Sequence, residues 1–399
     1  MLKRTIYTLY IIGFFLLLFL PTKANANTVD SVRVSLLTCS PGTEIYSLFG
    51  HTAIRYENLE KGVDVAFNYG MFSFNSPNFI FRFVKGETDY ELGVVDFSYF
   101  EREYAMRNSS VYQQTLNLQP EEKEKLWQIL TENYQPENRV YRYNFFFDNC
   151  TTRARDKIEE CIYGTVNYQG NNIKKTFRDI IHEYTKGFPW SEFGIDICLG
   201  SEADKPIGFR QKMFSPFYLL HAMDSAKIKE LSGKNRVMIK ETQEIVTRSI
   251  EEKGEDNLFS SISPMVAMGL LLLFTLLFTV LGVWKGMSFW WLDILLFGIV
   301  GLAGCVIAFL VFFSVHPTVS PNYLLVLLNP IPLIYLPFMT YLAIKRRKDY
   351  YHLINFIVLT LFILLWGIIP QEISSAILPL TLCLLLRSAS NLILTYKRK

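Results

Sequence analysis

The run Tyr141-Arg142-Tyr143-Asn144-Phe145-Phe146-Phe147-Asp148-Asn149-Cys150-Thr151-Thr152-Arg153 carries the densest chemical signal in the chain. Its aromatic residues favour a strand and stop at Asp148 and Asn149, two types that cap helices well. Ala154, Ile158 and Ile162 then recur every four residues, which places Cys150 in the first turn of a helix with one buried stripe. Unsatisfied amides and the positive end of the helix dipole favour a thiolate there. Arg153 and Arg155 are expected to add positive charge, and the same amides can hold the oxyanion formed when a thiolate attacks an ester. The competing expectation is a small buried cysteine on the apolar stripe, the commoner fate of a single Cys.

A nucleophilic thiolate needs a base, and the segment around it offers His51, His182 and His221. His51 lies in Ser47-Leu48-Phe49-Gly50-His51-Thr52-Ala53-Ile54-Arg55, where Gly50 permits close backbone approach and the alternation that follows reads as a strand holding the imidazole rigidly. His182 falls on a plain amphipathic helix and His221 in an apolar stretch, both read as packing or surface positions. A third group should orient the base; Asn68 or the adjacent Tyr69 can supply it, though an Asn near a turn more often caps backbone groups. Cys39, beside the turn Ser40-Pro41-Gly42, is a rival nucleophile without a helical stripe after it.

The elements that must position these groups are read as strands over Val32–Leu37, His51–Tyr56 and Val63–Phe67, with a helix from Pro120 through Asn133. Strands and helices are partly segregated, so the expected class is α+β. Gly194 to Asp204 holds spaced acids without a calcium-loop pattern and reads as an ordinary loop. Phe209, Met213, Phe214, Phe217 and Tyr218-Leu219-Leu220 form a dense apolar cluster, read as core before bilayer lip.

The chain starts MLKRT, runs through apolar Ile6 to Leu20 and reaches Ala24-Asn25-Ala26, so residues 1–26 read as a secretory signal, with an uncleaved anchor as the alternative. Residues 27–254 then form an exported domain closed by a charged linker, Glu251 to Asp256. Residues 255–399 hold five apolar runs, Met265–Trp284, Trp291–Phe313, Tyr323–Ile344, Leu353–Ile369 and Ser374–Thr395. These are expected to form an all-α transmembrane bundle of about five helices. Lys285, Lys345–Lys348 and Lys397–Lys399 all land on one side, whereas the loops 316–322 and 370–372 carry no Lys or Arg. The positive-inside bias therefore agrees with the signal in placing the domain outside and the C-terminus in the cytoplasm. His316, in the outer loop, reads equally as a functional group and as part of an interfacial turn made by two prolines.

Half of the residues are of hydrophobic type and the formal net charge is only +3, with basic residues in the expected cytoplasmic loops, so nucleic acid is not an expected partner. Four cysteines, Cys39, Cys150, Cys161 and Cys198, lie in the exported segment at irregular spacing, so two bridges are not assumed and a Cys161–Cys198 pairing stays open; with no CxxC pair a ribbon-type zinc site is disfavoured. No metal or cofactor is expected.

A His on an early strand and Asn-Cys at the start of a later helix resemble the circularly permuted papain-like thiol enzymes, including the lecithin retinol acyltransferase branch. Leu36 to Arg55, Asn68-Tyr69-Gly70 and Asn144 to Asp156, followed by the spans, more closely resemble the Lnb-type lipoprotein N-acyltransferases. That resemblance implies an enzyme of the bacterial inner membrane with a periplasmic catalytic domain. Cys150 would be its nucleophile and His51 its base, with Asn149, Arg153 and the residues weighed above in support. A phospholipid would give an acyl group to Cys150 as a thioester, and the amine of a diacylated lipoprotein N-terminus would accept it. The residues themselves specify only acyl transfer near lipid. A thiol peptidase or amidase of the cell wall is the enzymatic alternative, and a membrane sensor or interaction protein the non-enzymatic one.

Overall fold

The computed structural model describes residues 31–73, 75, 77–170, 173–249 and 262–396. The expected signal, the 251–256 linker and the Lys397–Lys399 cluster lie outside them. The first strand, β1 (Val32–Cys39), is buried at six consecutive positions, more than the one-faced alternation of a half-exposed strand. Helices cover both faces of its sheet: Val34 and Leu36 join one cluster with Leu126, Ile158 and Leu219, while Leu37 and Cys39 join another with Phe97 and Phe100.

Along the chain come β2 (His51–Asn58), β3 (Val63–Met71), α1 (Phe79–Lys85), β4 (Asp89–Asp96), α2 (Phe97–Met106), β5 (Val111–Leu116), α3 (Pro120–Asn133) and β6 (Val140–Arg142). They are followed by α4 (Cys150–Cys161), β7 (Gly164–Asn167), α5 (Phe177–Thr185), α6 (Pro189–Cys198), α7 (Phe209–Lys212) and α8 (Pro216–Ser225). The short strands β8 (Lys227–Glu230) and β9 (Asn235–Val237) and the longer β10 (Ile239–Val246) complete the domain. Seven strands form an antiparallel sheet in the order β10-β5-β1-β2-β3-β4-β6, and β7-β8-β9 form a second one. The three expected strands and the Pro120–Asn133 helix are present, the latter opened by a capping box in which the Gln119 amide donates to Glu122. The Phe209–Leu220 stretch supplies core, with Met213 and Leu219 in the main cluster and Phe214 in a satellite. The 194–204 stretch is not a plain loop. It ends α6 and forms a 3-10 turn (Ser201–Asp204), because Asp196 and Asp204 both pair with the fully buried Arg178 of α5. All six cysteines are free.

The C-terminal region is a helical bundle: α9 (Pro264–Lys285), α10 (Trp290–Phe313), α11 (Ile331–Lys345), α12 (Tyr350–Leu364) and α13 (Ile377–Tyr396). Among the described residues four segments are long and apolar enough to cross a membrane. The third of these, Tyr323–Lys345, opens with a 3-10 turn before α11. The fourth apolar run, Leu353–Ile369, forms the shorter α12, 15 residues or about 22 Å, followed by a 3-10 turn. Helix α10 packs closely on α11, since a Cβ added at Gly301 would lie 2.7 Å from Leu333 Cβ. Within the bundle Arg387 of α13 pairs with Asp293 of α10 at 2.6 Å and also donates to Thr279 of α9.

The N-terminal domain sits on one end of these helices. Trp190 Nε1 donates to the Ile262 carbonyl at 2.8 Å, Val315 N to Lys85 O at 2.9 Å, Gly200 N to Thr318 O at 2.8 Å and Gln371 Nε2 to Leu199 O at 3.0 Å. The loops 316–322 and 370–372 thus face the globular domain, as their lack of basic residues implied. Lys285 and Lys345 end helices that run away from it.

Candidate active site

His51 is held in place by the residue before it. Gly50 has φ +77°, and a Cβ there would lie 2.5 Å from the Cys39 carbonyl oxygen, so only glycine lets the chain enter β2 this close to β1. The β2–β3 ladder begins at Ile54 opposite Phe67, which leaves His51–Ala53 projecting past it. Helix α4 begins against this end of β2, where the Thr52 and Thr151 hydroxyls meet at 3.0 Å, both fully enclosed. Each threonine follows a residue of the candidate pair, so this one bond fixes the strand carrying His51 against the helix carrying Cys150.

The ladder of β3 with β4 shifts register between Asn68 and Met71, with Gly70 at φ +87°. Asn68 thereby faces the imidazole, and His51 Nε2–H donates to its Oδ1 at 3.1 Å. Tyr69, the other orienting candidate, turns into the core and donates its hydroxyl to Asn133 at 2.7 Å. With Nε2 engaged, Nδ1 is the ring nitrogen left for the Cys150 thiol, which is the imidazole's other hydrogen-bond partner.

Cys150 is the first residue of α4, as its sequence context implied. Asn149 caps the helix: Oδ1 accepts from Thr151 N and Thr152 N at 2.9 Å each, and Nδ2 donates to Phe145 O and Phe214 O. These contacts correct two expectations. Two of the first-turn amides expected to hold an oxyanion are already spent on the cap. Arg153 and Arg155 do not lend free charge to the thiol, because Arg153 makes a two-pronged ion pair with Asp148 while lying 3.5 Å over the Tyr141 ring, and Arg155 pairs with Asp156.

The charge that bears on Cys150 is that of His51. Burial is the largest single influence and pushes the thiol up, but the neighbouring imidazolium charge together with hydrogen bonds from His51, the Thr52 backbone N–H and the Thr151 hydroxyl outweighs it, so the pKa lies below the ordinary 9.0. For His51 burial acts to lower the pKa, and the thiolate opposite with the Asn68 bond more than reverses this, so it lies above 6.5. The shifts are opposite in sign because the charged form of each partner favours the charged form of the other.

Cys39 stands directly across from His51 in the β1–β2 register, yet it is fully enclosed, and burial drives its pKa far upward in spite of a hydrogen bond with Tyr104. It is a thiol in a core. His316 lies outside the site, donating Nε2–H to the Phe83 carbonyl at 2.9 Å where α1 meets the bundle. His182 is committed to Asp196 at 2.9 Å, and His221 is exposed on α8. Among the described residues no three His, Cys, Asp or Glu side chains gather as a metal site.

Three groups at the site escaped the sequence reading. The Thr52–Thr151 pin is one. The others are Tyr141, whose buried hydroxyl has no hydrogen-bond partner, and Tyr143. A Cβ at Gly70 would lie 3.6 Å from Cys150 Cβ and 3.9 Å from both Tyr141 Oη and Tyr143 Cε2, so the bare glycine face opens a small space shared by the thiol and two tyrosines. Their alternation on either side of Arg142, just before a Cys, was the available signal.

No curated protein and no solved structure matches the chain. Family models match both halves: the Lnb N-terminal periplasmic domain over residues 21–182, and the Lnb transmembrane domain over residues 255–399. The first spans the strands and helix that carry His51, Asn68 and Cys150, and the second spans the whole bundle. A thiol–imidazole site on an α+β periplasmic domain seated on an inner-membrane bundle is thus carried by a chain that belongs to the Lnb-type lipoprotein N-acyltransferases.

Proposed function

We propose that this protein moves a fatty acyl group from a phospholipid, through a thioester on Cys150, to the N-terminal amine of a diacylated lipoprotein. The observation that carries the reading is the Cys150–His51–Asn68 array, with opposite pKa shifts in its first two members, on a domain bonded to the outer ends of membrane helices.

In the first half-reaction the Cys150 thiolate attacks the ester carbonyl. The tetrahedral oxyanion collapses, breaking the acyl–oxygen bond, and the glycerol oxygen leaves with the proton of His51. The products are a lysophospholipid and a thioester. In the second, the neutral amine attacks the thioester carbonyl and gives a proton to His51 as the carbon–sulfur bond breaks, which restores the thiolate–imidazolium pair. Asn68 keeps the ring turned so that Nδ1 serves sulfur and substrate in both halves. With two first-turn amides occupied by Asn149, the oxyanion is assigned to the Tyr141 hydroxyl and the Thr52 N–H, which face the thiol from two other elements. Burial and the charge of Cys150 hold the Tyr141 pKa far above 10.0, so its proton stays available for donation.

In this reading residues 27–254 are the catalytic unit and residues 255–399 its membrane platform, with the C-terminus in the cytoplasm. Mass spectrometry of lipoprotein N-termini, with and without this protein, tests the function. Loss of one amide-linked acyl chain in its absence is expected; unchanged N-termini sink the proposal.

A further inference from the structure

A row of aromatic rings leads from the thiol to the membrane. Tyr143, beside Cys150 across the Gly70 gap, stacks on Tyr90 with centroids 4.1 Å apart; Tyr90 stacks on Phe72 at 4.9 Å, Phe72 on Phe79 of α1 at 5.6 Å, and Phe79 on Phe83 at 6.1 Å. Phe83 in turn meets His316, just beyond the outer end of α10. The row therefore starts at the nucleophile and ends at the bundle.

Helix α1 itself is out of place in water. Its sequence is FIFRFVK, none of its residues is buried, and Ile80, Phe81 and Phe83 are 77%, 58% and 50% exposed. Phe81 packs against Phe309 of α10, one turn before the lipid-facing Phe312 and Phe313. A short apolar helix bonded to the outer end of a membrane helix belongs at the bilayer interface, with its exposed face among acyl chains.

We propose that this ring row is an acyl-chain track, along which one hydrocarbon chain of a membrane phospholipid lies with its ester carbonyl at Cys150. The assignment rests on the acyl-transfer reading for its direction, and on the continuity of the rings with the lipid-facing end of α10 for its occupant. Four ring-to-ring steps of 4.1 to 6.1 Å suit one chain, which fills about half of a ~30 Å hydrocarbon core. The cations flanking the row, Arg82 and Lys85, are already paired with Asp89 and Glu87, so the track itself selects for hydrocarbon and not for charge.

The full-length protein in nanodiscs, loaded with a phospholipid bearing a mid-chain diazirine, tests this directly. After photolysis, cross-links are expected on peptides carrying Tyr90, Phe72 or Phe79; cross-links confined to the bundle helices overturn the track. The readout does not depend on turnover. Cross-links on the track without any Cys150 thioester leave the track standing and sink the transfer reading, and a thioester without such cross-links does the reverse. A second measurement compares thioester formation from long-chain and from water-soluble short-chain phospholipid. Phe79→Ala should lower the long-to-short rate ratio about tenfold, the order expected for one lost aromatic–alkyl contact, and Phe79→Leu should restore most of it. An unchanged ratio in Phe79→Ala, with Cys150 alkylated by iodoacetamide at the wild-type rate, counts against the track.

Discussion

Cys39 is paired with His51 across the β1–β2 register and Cys150 meets the His51 ring from the first turn of α4, and burial acts to raise both thiols. Their fates diverge through what else they meet. Cys150 has the His51 ring, the Thr52 N–H and the Thr151 hydroxyl, all able to donate to a thiolate, and it borders the space left by Gly70. Cys39 has one hydrogen bond, with Tyr104, and is fully enclosed in the cluster with Ala53, Ala66 and Phe100; the negative charge on Cys150 raises its pKa further. Proximity to a histidine does not make a nucleophile. Donors that prefer the charged form, together with partial exposure, separate Cys150 from the fully enclosed Cys39.

The largest expected effects fall on the Cys150 side. Cys150→Ala should lower transfer on the order of 10⁴-fold or more, since no other thiol is placed to form the intermediate. His51→Ala should be nearly as damaging, and its pH dependence sharpens the contrast. The wild-type thiolate, held below 9.0 by His51, persists as pH falls until its lowered pKa is reached; the imidazolium, held above 6.5, persists as pH rises until its raised pKa is reached. Transfer should be highest between those limits. In His51→Ala burial remains while the main compensating charge is gone, so iodoacetamide alkylation of Cys150 should rise only above pH 9.0. Alkylation of the variant at the wild-type pH midpoint would show that His51 is not the activating charge.

Tyr141→Phe comes next. It removes one hydroxyl that has no hydrogen-bond partner and leaves the ring under Arg153, so folding should be unaffected. Loss of one oxyanion donor lowers kcat by about 10²-fold, with the alkylation profile of Cys150 unmoved. A variant as fast as wild type would return the oxyanion to backbone groups alone.

What the sequence disclosed about these two cysteines was the local part. The cap at Asn149, the Ala154–Ile158 stripe and the strand after Gly50 are all encoded within a few residues, so the helical position of Cys150 and the strand position of His51 were readable. The apolar runs of the bundle were readable because hydropathy needs no partner. Long-range contacts were not. Thr52 and Thr151 are 99 residues apart, and Asn68 could be preferred over Tyr69 only once the register shift beyond Asn68 was known. The supposed help from Arg153 and Arg155 failed for a related reason: their acids, Asp148 and Asp156, were visible in the sequence, but the pairing geometry was not. The small β7-β8-β9 sheet went unread because strands such as Lys227–Glu230 show almost no apolar alternation.

Cys39→Ala is the smallest expected effect and the most direct challenge to the comparison. The side chain packs in the cluster on the far side of the sheet from Cys150, so its loss removes core volume and a bond to Tyr104 but no donor to the thiolate. Truncating one small buried side chain should cost about 1 kcal/mol of stability, read as a modest fall in melting temperature. Transfer should stay within about twofold of wild type at a temperature where both proteins are folded, because each degree of destabilisation acts on the folded fraction and not on the chemical step. Peptide mapping after iodoacetamide supplies the complementary half: in Cys150→Ser, Cys39 should remain unlabelled in the folded protein and become labelled on denaturation, since burial and not the Cys150 charge is the leading cause of its raised pKa. If Cys39→Ala alone abolishes transfer while Cys150→Ser retains it, the two cysteines exchange roles, and His51 must serve β1 across the strand pair instead of α4.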